Sequence, residues 1–356
     1  MKVGLAKNDI TPRVGIELCG FGPYRHRRSV FIRDRLFARG LAVEVDGRKA
    51  LLISCDLLAV TASITARVRE IVAHQAGLKA DAVMVHAIHS HSGPTTDYDM
   101  IGWGQPDAPY IETLPQRIAQ AGLDALANLQ PATLSHAEVP CEGIGYNREY
   151  EKSWPGRPPL EAALRDDWRP GSPDLTDTTC HVLRFDAEGG GILGFASYFG
   201  CHPVVCCEDT HYIHGDYAGV ATNLLERESP GSVGLFLQGA HGDVNTCVVH
   251  QPEQDSLLAL DVIAGRYARA GRAGLRAARP VEVDRLACVR RELAFTPKPW
   301  DLAHLRKLLA EKESRVFAPG LTDISKPAKP GAEKPEYDVR METVYLEGLR
   351  RPSGHS

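Results

Sequence analysis

The stretch Val83-Met84-Val85-His86-Ala87-Ile88-His89-Ser90-His91-Ser92-Gly93-Pro94 joins an apolar run to two histidines and a turn-forming Ser-Gly-Pro. In an extended strand, side chains two residues apart share a face. His89 and His91 are therefore expected to point the same way at the end of a strand, where a loop opens a site. Near-continuous hydrophobicity from Val83 to Ile88 predicts a strand covered on both faces. Two imidazoles on one face lose stability if both are charged and gain it if they hold a cation.

Upstream of this stretch, Ile64, Val68, Ile71 and Val72 form a helical stripe over 62–75, ended by Gly77. Before it, two apolar runs at 36–46 and 50–55 flank Asp46-Gly47 and predict a β-hairpin. Asp56 follows the second run, a place where polar side chains of α/β proteins meet ligands. Residues 1–34 show little periodicity and many turn formers, which predicts a loop-rich entry with Arg25, Arg27 and Arg28 exposed.

Downstream, a loop over 95–109 carries Tyr98, Met100 and Trp103, either a substrate lip or packing against the body. A helix to about Leu129 follows, with Pro115 delaying its start or kinking it. A short strand ends in Gly143-Ile144-Gly145-Tyr146-Asn147-Arg148, and 150–175 read as a surface excursion. Strands over 180–186 and 192–199 are joined by Gly189-Gly190-Gly191, and the second runs into Cys201-His202-Pro203. A helix begins near Asp216. A strand over 233–238 ends in Gly239-Ala240-His241-Gly242-Asp243-Val244-Asn245. A long Ala/Arg-rich helix is expected over 255–278, a strand over 281–293, a short helix over 302–313, a flexible loop over 318–335 and a last strand over 339–346. Alternating strands and helices with polar clusters at strand ends predict an α/β fold, a mixed sheet flanked by helices in a single domain of 1–356.

The bulk composition excludes several functions. A chain that is 43% hydrophobic and 24% charged is an ordinary soluble globular sequence. A net charge of -4, with no basic stripe interleaved with aromatics, gives no case for nucleic acid. The arginines from Arg266 to Arg291 read as a solvated helix face. Nine cysteines without a Cys-x-x-Cys pair indicate buried thiols in a reducing compartment. The N-terminus lacks the apolar region of a signal peptide, and no apolar run reaches the length of a membrane span. A cytoplasmic, soluble chain is expected, with no transmembrane segment.

His89, His91, His202, His214 and His241 all fall at strand-to-loop junctions, with Asp56, Asp216 and Asp243 in similar places. A hydrolytic metal site needs about three protein ligands, an open position for water, and groups behind the imidazoles that orient them. These residues could supply that set. Ser90 or Ser92 as a hydrolase nucleophile lacks a Gly-x-Ser-x-Gly element, and Cys201 and His202 face opposite ways in a strand. No Walker-type loop or dinucleotide fingerprint occurs.

Taken in order, Asp9-Ile10-Thr11-Pro12, Ser54-Cys55-Asp56-Leu57, His89-Ser90-His91-Ser92-Gly93-Pro94, Asn147-Arg148, Cys201-His202-Pro203, Gly215-Asp216-Tyr217 and Gln238 to Asn245 resemble one family over residues 1–290. It is the N-terminal catalytic domain of the neutral/alkaline non-lysosomal ceramidases. The resemblance implies a zinc-dependent amidase acting on ceramide or another small-molecule or lipid N-acyl substrate, through a zinc-activated water. It implies His89 and His202 as zinc ligands, His91 as an assistant to the water or leaving group, and Arg148 as a cation for the developing oxyanion. Asp216 and Asp243 fit roles in orienting ligands or holding loops, and His241 stands where small residues are common in the family. The family completes its zinc shell with a glutamate in a Pro-Gly-Glu element and a tyrosine. No Pro-Gly-Glu occurs here, so a shortened member without the C-terminal immunoglobulin-like domain is expected, and the third and fourth ligands stay open. Two other readings also stay open: a catalytically incomplete α/β domain that binds metal weakly, and a related metallohydrolase acting on esters or other amides.

Overall fold

The computed structural model describes residues 1–21, 27–99, 104–150 and 159–294, with Lys307 and Ala310. Its strands are β1 (Lys2–Asp9), β2 (Phe31–Ile32), β3 (Phe37–Val45), β4 (Arg48–Cys55), β5 (Val83–Ala87), β6 (Gln130–Pro140), β7 (Gly145–Asn147), β8 (Thr179–Ala187), β9 (Ile192–Phe199), β10 (Tyr212–Ile213), β11 (Val233–Gln238), β12 (Val244–Thr246) and β13 (Arg279–Val281). The main helices are α1 (Ala62–Ala76), α2 (Ala108–Ala127), α3 (Asp216–Glu228) and α4 (Glu253–Ala277). The expected mixed α/β architecture is present. The helix expected over 302–313, the loop over 318–335, the strand over 339–346, Met100 and Trp103 lie outside the described residues, apart from Lys307 and Ala310.

Strand pairing runs β11-β9-β8-β6-β1-β3-β4-β5, with β4–β5 and β9–β11 parallel. Among the described residues, strand pairing joins the two halves only where Lys2 and Val3 of β1 meet Pro131 and Gln130 of β6. There the sheet folds over on itself. Val3, Leu5 and Leu41 from one half pack against Phe185, Ala196 and Leu235 from the other, forming a core between the halves. The outer face of the first half is covered by α1 and α2, through Ile53, Val68, Val72, Leu114 and Ile118. The outer face of the second half is covered by α3 and α4, through Val182, Phe195, Tyr217, Leu260 and Tyr267. The result is four layers, helix–sheet–sheet–helix.

The hairpin of β3 and β4 forms as expected, with Asp46 and Gly47 both at positive φ (47° and 73°). α1 begins on Thr61, whose hydroxyl accepts from the Ile64 amide, and ends on Gly77 in the left-handed region. α2 starts before Pro115 and continues past it, so the proline does not delay its start.

Several expectations need correction. The entry segment holds β1, a central strand. Its inner residues Val3 and Leu5 are apolar, but its helix-facing residues must be small, because a Cβ on Gly4 would lie 2.0 Å from the Ala125 carbonyl oxygen. Arg27 is buried, donating to the carbonyls of Thr210 and His91. β5 is an edge strand rather than a doubly covered one, and Met84 is exposed. The short strand expected to end in 143–148 is two elements, the eleven-residue β6 and the three-residue β7. Of the strand expected over 281–293 only Val281 pairs, as the last residue of β13, which lies on β6 residues 134–136. Further pairing in that direction would meet β1, which occupies the β6 edge at Pro131. Arg266 is buried rather than solvated, donating to the carbonyls of Gly143, Ala163 and Arg165. Eight of the nine cysteines are buried free thiols, and Cys288 is exposed.

Candidate metal centre

β5, β9 and β11 end at one rim, and each hands over to a loop carrying a histidine: His89, His202 and His241. Their rings meet. Centroid distances are 4.8 Å for His89–His202, 4.5 Å for His89–His241 and 4.5 Å for His202–His241. One ring nitrogen from each lies within 4.8 Å of the others. The gathering does not arise from strand alternation. β5 stops at Ala87, and His89 sits at φ 67°, an unusual conformation for a residue with a Cβ. Its amide and that of Ser90 both donate to the Leu57 carbonyl, which folds the chain back toward the end of β4.

Each of the three rings is oriented by one backbone carbonyl. His89 Nδ1 lies 3.0 Å from the Leu58 oxygen, His202 Nδ1 2.7 Å from the His241 oxygen, and His241 Nδ1 2.8 Å from the Gly239 oxygen. A carbonyl oxygen can only accept, so each Nδ1 carries the proton and each Nε2 keeps its lone pair. This tautomer leaves Nε2 able to ligate, and a backbone carbonyl is one of the partners to which metal-ligating histidines donate their other N–H. Burial, reinforced by the neighbouring His241, pushes the His89 pKa down to about 4. Burial, reinforced by His89 and His241, pushes that of His202 down to about 3. Both imidazoles are neutral at pH 7 and able to ligate. The donor set fits a borderline divalent ion such as zinc.

His91 is buried beside this group, 5.0 Å from the His89 ring and 5.4 Å from the His202 ring. Burial, then His89, His202 and Arg27, hold its pKa well below the usual histidine value, while the Gly20 backbone hydrogen-bonds to it. A Cβ on Gly20 would fall 2.5 Å from His91 Nδ1, so glycine there sets the ring's position. Phe21 packs edge-on to the same ring at 5.1 Å.

Arg148 directly follows β7, and its charge depresses the pKa values of both His89 and His202. Its amide donates to the Asp243 carbonyl at 2.7 Å and its Nη1 to Asn245 Oδ1 at 3.2 Å. The Asp243 carboxylate accepts from Asn147 Nδ2 at 2.9 Å, tying the β7–β12 ribbon together. Asp216 holds a loop. Its carboxylate accepts from the amides of Val205, Cys206 and Tyr217, and Tyr217 donates to the Cys201 carbonyl, so the segment carrying His202 hangs from the start of α3.

Two expected participants lie elsewhere. Asp56 is buried with both oxygens 2.7 Å from Arg39 Nη1 and accepts from the Phe37 amide, so its carboxylate is spent on a structural ion cluster. His214 is fully buried behind the rim, where Ser90 donates to its carbonyl and its Nδ1 accepts from the Asp216 amide. Sequence reasoning missed Gly20, Phe21, Arg27 and Asn245, which position His91 and Arg148. Gly20-Phe21 carried a signal as a glycine beside an aromatic, but without the fold nothing linked it to His91.

These shifts give the metal-free protein a pH dependence. His89 and His202 titrate near 4 and 3, and burial pushes His214 to about 3, against 6.5 for an ordinary histidine. Between pH 6.5 and 4 the unfolded chain therefore binds more protons, and stability falls as pH falls. Burial of Asp216 raises its pKa to about 6 and opposes this by at most one proton. The urea midpoint of the chelated protein should be clearly lower at pH 5 than at pH 7.5; an equal or higher midpoint overturns this balance.

The sequence profile described as "Neutral/alkaline non-lysosomal ceramidase, N-terminal" matches residues 1–256. Neutral ceramidase B of Dictyostelium discoideum is 25% identical over 262 residues, 68% of this chain and 35% of the relative. Neutral ceramidase A of the same organism is 24% identical over 263 residues, with the same coverage. The chain thus spans about a third of the length of these curated relatives. The crystal structure of neutral ceramidase from Pseudomonas aeruginosa superposes with a TM-score of 0.66 at 22% identity, over 78% of this chain and 45% of that one. A structure described as ceramidase complexed with C2 matches equally well, with a TM-score of 0.66 at 22% identity. At that identity the likeness establishes the fold. With the profile covering well over half of its length, the chain belongs to the neutral/alkaline non-lysosomal ceramidase family.

Proposed function

We propose that this chain carries the centre of a zinc-dependent amide hydrolase that cleaves the N-acyl bond of ceramide or a related N-acyl compound. The observation that carries the reading is the convergence of His89 and His202, in their metal-ligating tautomers, beside His91 and Arg148. Family membership supports the substrate class. A divalent ion held by His89 and His202 would polarise the acyl carbonyl and make water a better nucleophile.

The chain's own residues do the rest. His91, neutral and shielded from solvent, accepts the proton of the attacking water and returns it to the leaving nitrogen. Arg148, braced by Asn245, donates to the carbonyl oxygen as negative charge develops there. The acyl C–N bond breaks and a C–O bond forms, releasing an amine and a carboxylate.

The test uses zinc-loaded protein with N-acyl sphingosines of short and long acyl chain, and simple N-acyl amines for comparison. Hydrolysis that is lost on chelation and restored by zinc is expected. His91→Ala should keep its zinc while kcat falls about 10²- to 10⁴-fold, the usual worth of a positioned acid–base group. An unchanged kcat in that variant removes His91 from the chemistry. No hydrolysis of any N-acyl compound by the zinc-loaded protein would sink the amidase reading.

A further inference from the structure

We propose that His241 is the third protein ligand of the metal, so that one ion is held by the Nε2 atoms of His89, His202 and His241. This rests on the metal-hydrolase reading above and extends it. His241 is equidistant from both other rings at 4.5 Å, closer to each than His91 is to either. Its Nδ1–H is committed to the Gly239 carbonyl, which leaves Nε2 as its only donor atom. His241 is partly buried, and one of its ring nitrogens lies within 4.8 Å of one from each of the other two histidines.

The backbone is built to keep the three together. The His241 carbonyl accepts from His202 Nδ1 at 2.7 Å and from the Val244 amide at 3.1 Å, so the loop that carries one ligand orients another. The His202 amide in turn donates to the Val244 carbonyl at 3.0 Å. The Gly239 amide donates to the Phe199 carbonyl at 2.9 Å, tying the ends of β9 and β11. His202 and His241 are therefore one unit, and His89 closes the triangle from the neighbouring half of the sheet.

His91 is excluded from the ligand set by the same reasoning. Its ring is directed by the Gly20 backbone rather than by the shared loop. Three histidines satisfy the minimum for a catalytic zinc site and leave the fourth position for water or substrate. Because all three donors are neutral, the ion keeps its full double charge, which favours acidification of water more than an anionic shell does.

The experiment measures zinc affinity by chelator competition, and the visible spectrum of the cobalt-substituted full chain. His241→Ala tests loss of the ligand. His241→Asn keeps a donor for the Gly239 carbonyl but has nothing at the Nε2 position, and so separates ligation from loop holding. Both variants should bind zinc at least about 100-fold more weakly than the unaltered chain. Both should lose the intense absorption of four-coordinate cobalt, while His91→Ala keeps it. Unaltered zinc affinity and cobalt spectrum in His241→Asn overturn the third ligand and leave the His89–His202 reading standing. An unaltered chain that takes up no zinc or cobalt overturns both.

Discussion

His202→Ala is expected to purify without stoichiometric zinc and to hydrolyse N-acyl substrates at least about 10³-fold more slowly than the unaltered chain. Losing the electrophile costs several kcal/mol of transition-state stabilisation, and about 1.4 kcal/mol corresponds to each factor of ten. The loss at this position is compounded. His202 Nδ1 donates to the His241 carbonyl, so alanine removes a metal donor and also frees the loop after β11. His89→Ala should also lose zinc, but it leaves the β9–β11 loops intact. It also places alanine at φ 67°, where the histidine it replaces, which likewise bears a Cβ, is already strained. The two variants should thus share a metal defect and differ in stability, with His202→Ala the less stable. Metal content after exhaustive dialysis and a urea titration of each check this. Stoichiometric zinc retained in His202→Ala refutes its assignment as a ligand.

What could be read from the amino-acid order follows from how much each element depends on local chemistry. The β3–β4 hairpin, α1, the β8–β9 pair and α4 announce themselves because turn residues and one-faced periodicity lie within the element. β6 does not. Its apolar residues change face midway, from Ala132 and Leu134 toward the facing half-sheet to Ala137 and Val139 toward α4, so a period-two pattern breaks at its centre. β1 is hidden for a related reason: close approach of α2 demands a small residue, Gly4, on one face, which removes a regular apolar alternation. Arg27 and Arg266 read as surface charge because the backbone carbonyls that hold them come from distant segments. At the site, the residue types at strand ends were legible, and the structure brings His89, His91, His202 and His241 together. The roles of Asp56 and His214 were not, since only the folded pairing shows that Asp56 faces Arg39 and His214 lies behind the rim.

Arg39→Met should cost about 3–5 kcal/mol of stability, the usual penalty for leaving a buried charge without its partner. Arg39 is 2% exposed and bridges Asp56 at the end of β4 to Glu226 and Asn223 on α3. Glu226 keeps Lys7, at 2.6 Å, and the Gly234 amide when Arg39 is lost. Asp56 keeps only the Phe37 amide. The burden therefore falls on Asp56, and Arg39→Met/Asp56→Asn should recover much of the loss, because an amide can still accept from Phe37 without a counter-ion. A double variant no more stable than Arg39→Met places the cost in packing rather than in the unpaired carboxylate. A loss below about 1 kcal/mol in the single variant would show that the cluster contributes no more than an exposed ion pair. The consequence extends to chemistry, because Leu57 and Leu58 follow Asp56 directly and their carbonyls hold the His89 amide and Nδ1. Releasing Asp56 should loosen those carbonyls, so zinc affinity should fall in Arg39→Met and return in the double variant, although neither substitution touches the metal.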